Sequence, residues 1–439
     1  MFTLDGSCWL TPGEQEEAIS MLVNGGLINW DNKRSLPLKS GGTTDIYVNL
    51  RLMRSQPDMI RSLARFFENP LRRLRVDRFV EVPEAVSLMA GVISANTGIP
   101  AVTIREEAKA GRVVKGKIIG DLNPGERVAI VDDVITDGAS KIPALTTLRS
   151  VAAEVAAIVL MVDRQQGWKK KLAEAGFGNV NVWAGMTLHD VRKFLVANGL
   201  MQRCDQGVEA KNPIIVALDG RNWEEILPLV DQLRTTGCIL KVNDLLVDQG
   251  IANLLPNLSV YGRVMADLKC HDIGNTVANT CRRLRACPPW AVTVHASGGK
   301  KMIQAARDEL AGTPTRILAV TVLTSIDPDT CEEIYVRQSL EQVLKLAEIA
   351  NAAGVHGFVC SPQEVKPLRE RYSDKDIVVA GIRSPGKDAQ DQERVGTSKG
   401  AMDGGSSHIV MGRQILGASD PVAELFRVLN KELSIEIEQ

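Results

Sequence analysis

The sequence of 439 residues sets 52 Lys and Arg against 53 Asp and Glu, a formal net charge of -1, with 24% charged and 44% hydrophobic residues. That length predicts two or three domains, and this balance excludes a disordered chain and leaves no basic excess for gripping nucleic acid without sequence preference. Eight cysteines without a C-x-x-C pair and five scattered histidines argue against a disulfide framework or a zinc site. The first twenty residues carry early acids rather than a basic-then-apolar run, and no apolar stretch approaches the roughly 20 residues needed to cross a bilayer. The expectation is a soluble, cytoplasmic protein that contacts neither membrane nor nucleic acid.

From residue 78 onward, β-branched runs alternate with helical stretches, the pattern of parallel sheets with crossover helices. RFVEVP at 78–83, IPAVTI at 99–104, RVAIVDD at 127–133 and AAIVLMVD at 156–163 predict an α/β domain with an open, doubly wound parallel sheet over residues 1–201. Residues 186–201 read as its closing helix, and the polar stretch 202–212 as a linker. Eight runs follow: IIVAL ending at Leu218, CILKV at 238–242, VMADL at 264–268, AVTVH at 291–295, ILAVTVL at 317–323, VHGFVC at 355–360, DIVVAG at 376–381 and HIVMG at 408–412. Eight strands in one stretch of this length predict a closed (β/α)8 barrel, the TIM-barrel class, over residues 213–439.

In the first domain, residues 127–140 read as an apolar strand ending in two acids, then a turn of small and hydroxyl residues. Ligands of parallel sheets sit beyond the carboxyl ends of the strands, so Asp132 and Asp133 are expected to face a crevice and hold ribose hydroxyls or magnesium. Thr136, Asp137, Gly138, Ala139 and Ser140 would open a helix and offer N–H groups and hydroxyls to a phosphate. The whole segment resembles the phosphoribosyl pyrophosphate (PRPP) signature of type I phosphoribosyltransferases. Segments 38–51, 104–109 and 162–176 are similar to stretches of the orotate phosphoribosyltransferase family. That resemblance implies Lys39 near the pyrophosphate, Tyr47 near the orotate ring, Arg164 on the orotate carboxylate, and Arg105 and Lys109 on a mobile loop, with Lys109 stabilising departing pyrophosphate. It also implies magnesium, bound together with PRPP. The sequence departs from the family at Glu106, where a cation is usual, with Arg112, Lys115 and Lys117 as substitutes nearby.

In the barrel the chemistry is expected at the strand carboxyl ends. Strand one ends in Asp219, strand two carries Lys241, and strand three ends in Asp267, Lys269 and Asp272. Asp267 and Lys269, two apart on an extended segment, are expected to share a face. Lysines and aspartates in a row are nearly neutral together, so each offsets the desolvation of its neighbour. The loops after strands seven and eight supply Arg383, Gln392, Gly412 and Arg413, suited to a phosphate because the planar guanidinium meets two oxygens at once. His271 and His295 read as hydrogen-bonded strand-end residues rather than catalysts.

Residues 213–428 resemble the orotidine 5'-phosphate decarboxylase family through VALDG at 216–220, DLKCHDIGNT at 267–276, TVHASGG at 293–299, VTVLTS at 320–325, GIRSPGKDAQDQ at 381–392 and MGR at 411–413. The likeness implies a charged row of Lys241, Asp267, Lys269 and Asp272, with Asp272 and Thr276 reaching into the other site of a homodimer. It places Asp219 and Lys241 on ribose hydroxyls and Thr324 along the pyrimidine edge, and implies no cofactor or metal in this half. Ala380 departs from the proline usual there.

Together the resemblances imply a fusion of the uridine monophosphate synthase family, making orotidylate (OMP) from orotate and PRPP in one half and decarboxylating it to uridylate (UMP) in the other. One alternative keeps the decarboxylase and reduces the first half to a PRPP-binding or regulatory module. Another is a magnesium-dependent sugar-phosphate barrel, against which stands the cation Lys241.

Overall fold

The computed structural model describes residues 8–32, 36–37, 43–83, 85–109, 116–202, 212–384 and 394–436. The chain divides into two compact units, Met1–Gln202 and Arg203–Gln439. Most of the expected linker, residues 203–211, lies outside the described residues.

The first unit is built on a six-stranded sheet of β1 (Arg78–Glu81), β2 (Ala101–Lys109), β3 (Gly116–Ile119), β4 (Arg127–Ile135), β5 (Glu154–Asp163) and β6 (Val182–Thr187), in the order β6-β5-β4-β1-β2-β3. Neighbours are parallel except at one edge, where β3 returns antiparallel to β2. Residues 128–131 of β4 and 156–162 of β5 are apolar and buried because both faces of the sheet are covered. Along β4, Ala129 and Val131 pack into one hydrophobic cluster while Val128 and Ile130 pack into the other. Short antiparallel pairings, Ile28–Trp30 with Ile46–Val48 and Leu36–Pro37 with Thr43–Thr44, stand beside this sheet. Helix Pro12–Asn24 starts at a Thr11–Glu14 capping box. The closing helix is Leu188–Ala197, shorter than expected and started by a second box of Thr187 and Asp190.

The sequence reading missed β3 and β6, and it stopped β4 too early. The strand runs on to Ile135, with Asp132 opposite Leu160. Asp132 and Asp133 therefore sit inside the strand rather than at its end.

The second unit is a closed barrel of eight parallel strands, β7 (Ile214–Ala217), β8 (Ile239–Val242), β9 (Val264–Cys270), β10 (Ala291–His295), β11 (Arg316–Val320), β12 (Gly357–Cys360), β13 (Asp376–Val379) and β14 (His408–Met411). It closes where Ile214 of β7 pairs with Ile409 of β14. Ile215, Ile239, Met265, Ala291, Leu318 and Val378 form a buried cluster. With apolar side chains filling the interior, ionisable groups are left to the carboxyl ends of the strands.

A candidate active site at the barrel mouth

Strand β9 is not regular where it reaches the mouth. Its pairing with β10 slips between Ala266 and Cys270, and Lys269 takes a left-handed φ of 46°. The extended alternation expected from the sequence therefore does not explain how Asp267 and Lys269 meet. A side chain on the neighbouring strand does: Thr293 Oγ1 accepts the Lys269 backbone N–H at 2.9 Å and donates to Asp267 Oδ1 at 2.8 Å. Asn243 Nδ2 donates to the Asp267 carbonyl at 2.5 Å.

The result is a chain of alternating charge. Lys241 Nζ lies 2.6 Å from Asp219 Oδ2 and 3.1 Å from Asp267 Oδ2, and Lys269 Nζ lies 2.7 Å from the same Asp267 oxygen. Lys241 and Asp267 are buried, whereas the Lys269 side chain is 35% exposed. Burial pushes the Asp267 carboxyl up, but Lys241 and Lys269 outweigh it and keep the group below its ordinary range. Burial likewise opposes the charge on Lys241, and Asp267 and Asp219 overcome it, raising the ammonium pKa. Both groups stay ionised at neutral pH.

This row forms one wall of a cavity of about 470 Å³. Met265, Val320, Val322, Leu323 and Val359 supply an apolar surface, Thr324 stands at its edge, and Arg383, Gly412 and Arg413 line the same space. Asp219, Lys241, Asp267, Lys269, Thr324, Arg383, Gly412 and Arg413 are thus brought together as expected. Asp272 and Thr276 are not. Both are exposed at the start of helix Gly274–Leu284 and neither lines the cavity, so Asp272 is no part of the row within one chain. Its carboxylate accepts the Ile273 N–H at 2.6 Å. Gln392 lies outside the described residues. The His271 and His295 rings stand 5.2 Å apart, and burial, His271 and Lys269 together lower the pKa of His295.

Beyond Thr293 and Asn243, sequence reasoning missed Arg394 and Glu364. Arg394 is buried, ion-paired to Glu364, and donates to the carbonyls of Val322 at 3.2 Å and Leu323 at 2.8 Å. It fixes the backbone of two residues that line the cavity. A lone arginine in a polar stretch gives no pattern that would reveal this. Thr293 left a fainter signal, a hydroxyl two residues before the end of an otherwise apolar strand.

In the first unit, the expected phosphoribosyl segment is only partly available to a ligand. Asp132 is 2% exposed and its carboxylate is engaged by the buried Lys141, which also donates to the Val134 carbonyl at 3.0 Å and to Ser140 Oγ at 3.1 Å. Asp132 does not face an open crevice; the Lys141 ammonium, nine residues further along the chain, has taken its charge. Asp133 remains half-buried, and burial followed by repulsion from Asp132 pushes its carboxyl up to about 7. Thr136, Asp137, Gly138, Ala139 and Ser140 make a turn in which Gly138 has φ 81° and Asp137 accepts the Ala139 N–H at 3.1 Å. The α-helix begins only at Ile142, after a short 3-10 turn. Arg164 is buried and donates to Thr44 Oγ1 at 3.2 Å; Tyr47 sits half-buried on the strand Ile46–Val48. Arg105 lies on β2, and Lys109 is its last residue. Lys39, Arg112 and Lys115 fall outside the described residues, as does the side chain of Glu106.

Fold and site define the second unit as a (β/α)8-barrel protein with an ion-paired lysine–aspartate row and two arginines lining one cavity. The chain belongs to the orotidine 5'-phosphate decarboxylase / HUMPS family, whose model matches residues 212–428. It is 38% identical over 229 residues to an orotidine 5'-phosphate decarboxylase of Chromobacterium violaceum, covering 51% of this chain and 92% of that protein. It is 39% identical over 237 residues to one from Neisseria meningitidis serogroup A, covering 53% of this chain and 96% of that protein. Among solved structures, an orotidine 5'-phosphate decarboxylase from Lactobacillus acidophilus aligns with a TM-score of 0.44 and 38% identity, over 49% of this chain and 97% of that one. Among the described residues no helix is long and apolar enough to cross a membrane.

Proposed function

We propose that the barrel decarboxylates OMP to UMP. The observation that carries this reading is the Lys241–Asp267–Lys269 row in one cavity with Arg383 and Arg413. Loss of carbon dioxide breaks the bond from C6 to the carboxylate and leaves the electron pair on C6. Lys269 supplies fixed positive charge there and then the proton that completes UMP, and its partial exposure lets solvent restore that proton. Asp267, kept ionised by its two lysines, repels the substrate carboxylate by about 4 kcal/mol if the charges stand about 4 Å apart at intermediate dielectric. Preorganised stabilisation of the developing carbanion by Lys269 contributes more, because the ammonium is already in place before reaction. Asp219 and Lys241 take the ribose hydroxyls, Thr324 the pyrimidine edge, and Arg383, Gln392, Gly412 and Arg413 the phosphate. The magnesium-dependent alternative is disfavoured because the Lys241 ammonium occupies the position between Asp219 and Asp267 where a dication would need both carboxylates.

For the first unit we propose orotate phosphoribosyltransfer with Mg-PRPP as substrate, which makes the whole chain a bifunctional uridine monophosphate synthase. Asp133 and the turn at Thr136–Ser140 support phosphoribosyl binding. The alternative, a binding or regulatory module, gains from the engagement of Asp132 by Lys141. The test supplies orotate, PRPP and magnesium to the purified chain and follows pyrophosphate release and UMP separately. Transfer that collapses in Lys109→Ala supports catalysis; decarboxylation of added OMP without any pyrophosphate release supports the module. A shared-site homodimer is part of the proposal: mixing Lys269→Ala with Asp272→Ala chains should restore up to about a quarter of the activity, and no recovery removes it.

A further inference from the structure

The two phosphate-side arginines are followed directly by Ser384 and Gln414, and those two side chains are bonded to each other. Ser384 N–H donates to Gln414 Oε1 at 3.1 Å, and Gln414 Nε2 donates to Ser384 Oγ at 2.5 Å. Both are then tied to the last helical segment of the chain. Ser384 Oγ donates to Glu432 Oε1 at 2.5 Å and accepts from Arg427 Nη2 at 2.9 Å; Arg427 Nη2 also lies 2.9 Å from Glu432 Oε1. Gln414 Nε2 reaches Glu424 Oε1 at 2.8 Å, and Ser398 Oγ donates to the other Glu432 oxygen.

The bonding leaves Ser384 no freedom. A hydroxyl has one proton and two lone pairs, and here all three are used, which fixes Glu432 as the acceptor. Ser384 and Ser398 are buried, and the Glu432 side chain is 10% exposed. Glu432 itself sits in a π-helical turn, Val428–Glu432, an irregularity that turns the end of a helix from its regular path.

We propose that Glu432 is a positioning residue for phosphate: through Ser384 and Gln414, the C-terminal segment sets the separation of Arg383 and Arg413, so that substrate phosphate meets a preformed grip. The inference rests on reading those arginines as the phosphate site. It explains why a buried polar circuit lies outside the cavity, where none of its members reaches the reacting atoms.

The experiment measures kcat/KM for OMP and for orotidine, the same nucleoside without phosphate, in wild type, Arg413→Ala, Glu432→Ala, Glu432→Gln and the Arg413→Ala/Glu432→Ala pair. Glu432→Ala should lower kcat/KM for OMP about tenfold, mainly through KM, and leave orotidine within twofold. Glu432→Gln should recover most of the loss, since its amide oxygen can still accept from Ser384 and Arg427. In the Arg413→Ala background, Glu432→Ala should add nothing. Should Glu432→Ala fail to fold, Ser384→Ala removes the shared hydroxyl and is read with the same two substrates. Equal losses on both substrates, no loss on either, or full additivity with Arg413→Ala overturns the proposal. If instead Arg413→Ala leaves the preference for OMP over orotidine intact, the phosphate assignment itself is wrong and this inference goes with it.

Discussion

Thr293→Val keeps the branched shape of the side chain and deletes one oxygen. That oxygen, fully buried, joins the Lys269 N–H to the Asp267 carboxylate at 2.9 and 2.8 Å. A hydrogen bond to an ionised group contributes about 1.5–3 kcal/mol and a neutral one about 0.5–1.5 kcal/mol, so roughly 2–4.5 kcal/mol bias this arrangement. Against it stands the left-handed backbone of Lys269 at φ 46°, which costs an L-residue about 1–2 kcal/mol. Without the hydroxyl the strain is no longer offset, the peptide relaxes, and the Lys269 ammonium leaves its place beside Asp267 in the cavity. Only that strain then opposes the productive arrangement, so at about 1.4 kcal/mol per tenfold kcat/KM for OMP should fall roughly 5- to 30-fold. The assay is OMP decarboxylation by purified variants, with urea unfolding beside it to separate lost folding from lost geometry. Thr293→Ser, which keeps the oxygen, should retain most of the activity. A Thr293→Val enzyme within threefold of wild type, with the serine variant no better, would refute the reasoning.

Three further predictions follow from ionised groups. Asp267 has a folded pKa below its ordinary 3.8 and Lys241 one above its ordinary 10.5. The Asp267 contribution to stability is thus present above its unfolded pKa and lost as pH falls through the folded one; the Lys241 contribution is present below its unfolded pKa and lost as pH rises through the folded one. The difference in urea stability between wild type and Asp267→Asn should therefore be level from about pH 5 to 9 and shrink in acid. Arg394→Met strands the buried Glu364 and should cost about 3–5 kcal/mol, measured by urea unfolding; adding Glu364→Gln should return much of it. In the first unit, Asp133 titrates near 7 because of burial and Asp132. If it binds Mg-PRPP as a carboxylate, calorimetric affinity should fall about five- to tenfold from pH 8 to pH 6, and Asp132→Asn should flatten that dependence.

Much of this molecule is legible in one dimension. The eight barrel strands begin and end within a few residues of their apolar runs, because strands that are covered on both faces must be continuous and β-branched. Strand-end positions then nominate Asp219, Lys241, Asp267 and Lys269, since the fold delivers those ends to one mouth. Asp272 does not join them within one chain, because the turn after β9 sends it to the exposed start of a helix, which leaves it to the partner site proposed above. The same logic fails for Asp132, where an apolar-to-acidic transition resembles a strand terminus and the backbone continues in the sheet to Ile135.

The sequence by itself determined the division of labour: apolar strands for the cores, ionisable residues at their carboxyl ends, arginines on the last two loops. Only the tertiary structure decided which charges are free to act. Lys141 neutralises Asp132, Thr293 sets the angle at which Lys269 enters the cavity, and Glu432 joins the neighbours of two arginines. Each of these contacts is a hydrogen bond a few ångströms long made by a side chain, mostly across different elements. Composition and periodicity record which residues a strand or helix carries, and contain nothing about which element will pack beside it.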